Sequence, residues 1–98
     1  MKKYILIHNL NSRGKNLSKE YIEYLFKSKD IPFVYFPTST IDELDNIINK
    51  YSDSSKYQYC AIGGDGSLNS LINVLLNNNV LKPEVACLPA GSGSDFIR

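Results

Sequence analysis

The chain has 98 residues, 43% of them hydrophobic, and its 11 basic and 10 acidic side chains give a formal net charge of +1. Such a length holds one domain burying roughly 60–70% of its unfolded surface, and the apolar fraction excludes a disordered chain. Basic residues are scattered, the densest cluster being Arg13, Gly14 and Lys15, which excludes a nucleic-acid footprint, and no apolar run is long enough to span a bilayer.

In chain order, Tyr4 to His8 ("YILIH") is a short apolar run bounded by polar residues and predicts a buried strand. The polar stretch Asn9 to Asn16 follows as a loop. Leu17, Tyr21 and Leu25, with Ile22 and Phe26 beside them, then recur at helical spacing and predict an amphipathic helix ending near Ser28 to Asp30, before Pro32. Phe33 to Phe36 ("FVYF") is aromatic and β-branched and predicts a second strand.

In "PTSTIDEL", Thr40 is an N-cap and Glu43, three residues on, completes a capping box. Asp42 and Glu43 also suit the positive end of a helix dipole. Ile41, Leu44, Ile47, Ile48 and Tyr51 form the apolar face of this second helix. Ser52 to Lys56 is a solvated loop, and Tyr57 to Ile62 ("YQYCAI") a third strand. Leu68, Leu71, Ile72, Leu75 and Leu76 predict a third helix, which Asn77 to Asn79 ends because Asn tolerates the left-handed turn beyond a helix. Val85 to Leu88, after Pro83, is a fourth strand.

The order βαβαβαβ, with long connections and near-continuous apolar strands, predicts an α/β fold. Its three layers are a mostly parallel, Rossmann-like sheet with helices on both faces. Cys60 and Cys87 sit inside apolar runs without CxxC spacing, so they read as core residues of a reduced protein. The N-terminal "MKKYILIHN" has too short an apolar part for a signal peptide and no cleavage site, so a cytoplasmic location is expected.

Ligands of open parallel sheets bind beyond the carboxyl ends of the strands. Three loops there are rich in small and polar residues: "NLNSRGK" after the first strand, "GGDGS" after the third and "GSGSD" after the fourth, with "PTST" as a weaker fourth. Gly63, Gly64 and Gly66 present bare backbone N–H groups, and the helix that follows adds free donors and partial positive charge, which suits phosphate. Asp65 repels phosphate and instead suits a hydroxyl partner, a bridging metal or a backbone cap. Neither "GDGSLN" nor "GSGSDF" carries the third glycine of GxGxxG, and no GxxxxGK[ST] is present. His8, the sole histidine, reads as a satisfied core residue. Ser67, Ser92 and Ser94 have no histidine placed as a base and read as hydrogen-bonding groups.

"IGGDGSLN" and "LPAGSGSDFIR", at this separation, resemble the catalytic domain of the diacylglycerol kinase and sphingosine kinase family, including its bacterial soluble members. The resemblance covers essentially the whole chain. "GGDG" alone is shared with NAD kinases. The resemblance implies an ATP site lined by Asn9, Leu10, Asn11, Ser12, Arg13, Thr38, Gly63, Gly64, Asp65, Gly66, Ser67, Leu68, Asn69 and Ser92. Asp65 is implied to handle metal and phosphate, with ATP and Mg2+ as cofactors.

Three positions depart from the family pattern: Leu10 replaces a proline, Ser70 the glutamate of "NE", and Ser94 the asparagine of "ND". The resemblance further implies that residues 1–98 form the nucleotide-binding N-terminal domain of a lipid kinase. A second, β-rich domain supplying the general base and the lipid site is expected beyond this chain, which alone would then be inactive. The expected function is transfer of the γ-phosphoryl group of ATP to a diacylglycerol-like hydroxyl. The alternatives are an NAD kinase-like domain and a non-catalytic nucleotide-binding module. Expected partners are nucleotide, lipid acceptor, transient membrane surface and, through apolar surface left uncovered, further copies of the chain.

Overall fold

The computed structural model describes residues 2–10 and 18–89, and of Asp65 and Pro89 the backbone alone. Four strands, β1 (Lys3–Asn9), β2 (Phe33–Thr38), β3 (Tyr57–Gly63) and β4 (Val85–Pro89), alternate with three helices, α1 (Lys19–Ser28), α2 (Ile41–Lys50) and α3 (Asp65–Asn77). All strand pairs are parallel, in the order β2-β1-β3-β4. The expected parallel α/β architecture is therefore the observed one.

Alternation along the strands divides the core between two faces. Ile5, Ile7, Tyr59 and Ala61 point to the side where α2 and α3 contribute Leu44, Ile48, Leu71, Val74 and Leu75. Leu6, Cys60, Ile62 and Leu88 point to the other side, where α1 contributes Ile22 and Phe26. Cys60 and Cys87 sit one strand position out of phase, Cys60 opposite Ala86 and Ala61 opposite Cys87, so their side chains leave opposite faces; neither is in a disulfide. Burial pushes the Cys60 thiol well above its usual range, which leaves it inert.

Local chemistry accounts for the helix starts. Ser18 caps α1 by accepting from the Tyr21 N–H. Thr40 and Glu43 make the predicted capping box on α2: the Glu43 N–H donates to Thr40 Oγ1 at 3.2 Å, and Glu43 Oε1 accepts from the N–H groups of Ser39 at 2.6 Å and Thr40 at 3.0 Å. These backbone bonds hold the Glu43 carboxyl below its ordinary range. Asn79 takes the left-handed conformation, φ 57°, just past α3.

Three expectations need correction. The second strand runs on through Pro37 and Thr38 rather than stopping at Phe36. β2 is an edge strand, and the N–H of Tyr4 and of Leu10 bond the carbonyls of Pro32 and Thr38. Alternation then turns the Pro37 nitrogen to the open edge, where no ladder bond is lost.

The third helix starts at Asp65, three residues before its first apolar residue. Its opening turn is polar, and the N–H groups of Ser67 and Leu68 close it onto the Gly64 carbonyl.

The apolar stripes are also narrower than the spacing implies. Tyr21, Ile41, Ile72 and Leu76 are exposed, while Val74, absent from the expected stripe, is buried. Leu17 lies outside the described residues. No helix among the described residues is long and apolar enough to cross a membrane.

Candidate functional site

From β1 the chain crosses to β2 on one side, then passes back over β1 to β3 and β4 on the other. The direction of winding therefore reverses between β1 and β3, and in open α/β sheets the crevice at such a reversal is the place for a ligand. Asn9 ends β1 and Gly63 ends β3. Across this gap the Asn9 Nδ2 donates to Ser67 Oγ at 2.9 Å, which ties the first loop to the opening turn of α3. Ser67 and Thr38, the last residue of β2, are both buried.

A cleft of about 150 Å3 lies above these residues, between the N-terminal ends of α2 and α3. Ile7, Ile41 and Leu44 give it an apolar floor, and Asn9, Thr38, Ser39, Thr40, Ser67 and Ser70 supply its polar groups. Among the described residues no histidine, carboxylate or basic side chain lines it.

The three helix starts are not alike. Those of α1 and α2 are capped by side chains, whereas α3 begins at Gly64 with no side-chain cap. The leading N–H groups of a helix lack an intrahelical partner; in α3 those of Ser67 and Leu68 close onto the Gly64 carbonyl, which leaves those of Asp65 and Gly66 to meet an anion, with the helix dipole behind them. Of the loop glycines, Gly63 alone needs to be glycine for its backbone, at φ 148°. Gly64 has φ −97° and Gly66 lies in the helix. A Cβ at either would meet nothing within 4 Å. Folding demands glycine at neither position, and the space beside the exposed N–H groups stays open.

Of the residues expected from sequence, Asn9, Thr38 and Ser67 meet in the cleft, while Gly63 ends β3 and Gly64 and Gly66 begin α3 outside its lining. Leu10 is exposed and extends the β1–β2 ladder through its N–H. Leu68 turns into the core, and Asn69 is exposed outside the cleft. Asn11, Ser12, Arg13 and Ser92, like Ser94, lie outside the described residues. Asp65 is placed by its backbone at the first position of α3.

The cleft also uses Ser39, Thr40, Ile41, Leu44 and Ser70. The first two belong to "PTST", read both as a helix start and as the weaker fourth of the ligand loops. Ser70 stands three residues after Ser67, hence on the same helix face, which periodicity could have revealed.

His8 is buried on the opposite face of the sheet. Its Nδ1 lies 2.5 Å from the Tyr35 hydroxyl, and its Nε2 finds no partner among the described residues, so it is a core histidine satisfied on one side only.

Among the described residues no three His, Cys, Asp or Glu side chains gather into a metal cage. A search of curated proteins returned no match. Residues 3–98 match the family described as Diacylglycerol kinase catalytic domain. With that match spanning nearly all of its length, the chain belongs to the diacylglycerol kinase catalytic domain family and carries a fold of lipid kinase-type phosphoryl transfer.

Proposed function

We propose that the chain is the ATP-binding half of a lipid kinase that moves the γ-phosphoryl group of ATP to a diacylglycerol-like hydroxyl. The observation that carries this reading is the uncapped start of α3 behind Gly63 and Gly64, set beside a neutral cleft at the point where the sheet winding reverses. In this reading the phosphates lie on the open N–H groups of α3, and the base and ribose occupy the cleft over Ile41 and Leu44. Asn11, Ser12, Arg13 and Ser92, outside the described residues, are further nucleotide-binding residues in this reading. Asp65 would hold Mg2+ together with the phosphates, since Mg2+ is bound by one or two carboxylates plus phosphate oxygens rather than by an all-protein cage.

Among the described residues no group lining the cleft takes a proton from an alcohol at neutral pH. In this proposal the general base and the lipid site therefore come from outside residues 1–98, and these residues alone have no turnover. The lipid acceptor brings the whole enzyme into transient contact with a membrane surface from the cytoplasm. The exposed Ile72, Leu76 and Leu81 support self-association of the chain.

The test is an amide NMR titration with Mg-ATP, with NAD as comparison. Selective shifts at Gly63, Gly64, Gly66 and Ser67 with ATP are expected. An absence of shifts with ATP, or a stronger response to NAD, overturns the reading.

A further inference from the structure

A hydroxyl has a proton to give and lone pairs that accept, so what it offers a ligand depends on what its neighbours have already taken. An ionised phosphate oxygen only accepts. A hydroxyl that meets one must therefore bring its proton, and such charge-assisted bonds are about twice as strong as neutral ones.

Ser67 stands directly after Gly66 in the first turn of α3 and is buried in the wall of the cleft. Its neighbour across the reversal of the sheet decides what it offers. The Asn9 Nδ2 donates to Ser67 Oγ at 2.9 Å, so this contact takes a lone pair and leaves the proton. An amide N–H does not accept, so the proton cannot turn back along the same bond. Asn9 makes further contacts of its own, and only this N–H bears on Ser67. Helical serines often spend the proton on their own helix. Ser28 does so, donating to the Leu25 carbonyl at 2.9 Å. Ser67 makes no such bond among the described residues, and the Gly64 carbonyl one turn back accepts instead from the N–H groups of Ser67 and Leu68. A bond accepted at Oγ also polarises the O–H, which makes it the stronger donor.

We infer that Asn9 is a positioning residue: by giving its N–H to Ser67 Oγ it turns the Ser67 proton out to a phosphate oxygen of the nucleotide. This rests on the nucleotide reading above and deepens it. Ser67 becomes a donor of set sense beside the open N–H groups of α3, and Asn9 is the group that sets it.

Calorimetric titrations with Mg-ATP of the chain, of Asn9→Asp, of Ser67→Ala and of the double variant test the inference. Asp is close to Asn in shape, and Ala suits a helix. An ionised carboxylate only accepts, so Asn9→Asp keeps the tie to Ser67 while drawing its proton away. The added charge repels ATP in both backgrounds and cancels in the comparison. Ser67→Ala is expected to bind ATP about tenfold more weakly, and Ser67→Thr, which keeps the hydroxyl, to bind it as the unaltered chain does. Asn9→Asp is expected to lower affinity by about tenfold more in the presence of Ser67 than in the Ser67→Ala background. An equal loss in both backgrounds overturns the inference, because Asn9 would then touch the nucleotide itself or serve as a structural tie alone. Unchanged affinity in Ser67→Ala overturns it as well. Either result leaves the nucleotide reading standing. Absence of ATP binding by the unaltered chain overturns the nucleotide reading, and this inference with it.

Discussion

Gly66 and Gly63 occupy the same loop for different physical reasons, and substitution separates them. Gly66 sits in the first turn of α3 with open space where a Cβ would stand. Gly66→Ala is expected to leave the fold as stable or up to about 1 kcal/mol more stable, since Ala is the better helix residue. The same methyl group would stand beside the exposed N–H groups and lower ATP affinity by about tenfold, roughly 1.4 kcal/mol. Gly63, at φ 148°, has no such freedom, and Gly63→Ala is expected to cost about 1–3 kcal/mol of stability. Urea denaturation and ATP titration of the two variants check this. Unchanged ATP affinity in Gly66→Ala would show that the space is not used by the ligand.

At the level of elements, β1 and β2 are joined by more than their ladder. On the α1 face, His8 of β1 meets the Tyr35 hydroxyl of β2, with their rings 5.7 Å apart and nearly perpendicular. Lys19 of α1 lies over the Tyr35 ring, and burial, then the charges of Glu23 and Glu20, raise the Tyr35 hydroxyl above its ordinary value.

Burial lowers the His8 imidazole below its ordinary 6.5. Below that value the unfolded chain takes up a proton at His8 that the folded chain refuses. The contribution of neutral His8 is therefore complete above pH 6.5 and is lost as the pH falls from there through the lowered folded value. Denaturation series between pH 7.5 and 5.5 are expected to show falling stability, and His8→Gln is expected to flatten that slope. An equal slope in the variant would place the titrating group elsewhere.

Across the whole molecule, α3 is the element least accounted for by its own core. It buries Leu71, Val74 and Leu75, yet leaves Ile72 at 38% and Leu76 at 63% exposed, with Leu81 beyond it at 78%. After Asp65 the helix carries no charged residue. A face without charge can meet its own copy across a two-fold axis with no like-charge repulsion. Sedimentation at rising concentration is expected to show a dimer or larger species, and Leu76→Glu is expected to shift it towards monomer. A wild-type chain that stays monomeric throughout would end that reading.

Much of this was legible along the chain because its signals are local. The capping box of Thr40 and Glu43, the Asn79 stop and the aromatic β2 run each depend on residues within a few positions of one another, and each stands where the sequence puts it. The glycines of "GGDGS" marked the candidate phosphate end for the same reason.

Other features need neighbours distant in sequence. That Pro37 and Thr38 continue β2 follows from its place at the sheet edge. That Tyr21, Ile72 and Leu76 are exposed follows from which sheet face each helix covers. Neither the Asn9–Ser67 bond, 58 positions apart in the chain, nor the half-satisfied His8 could be read from spacing.

The sequence by itself determined the element order, the helix ends and the Gly-rich turn, since backbone sterics and capping act over one or two turns of chain. Only the tertiary structure decided the strand order. With it came the reversal between β1 and β3 and the neutral, hydroxyl-lined cleft, because burial and convergence are properties of surfaces that meet only when the sheet is assembled.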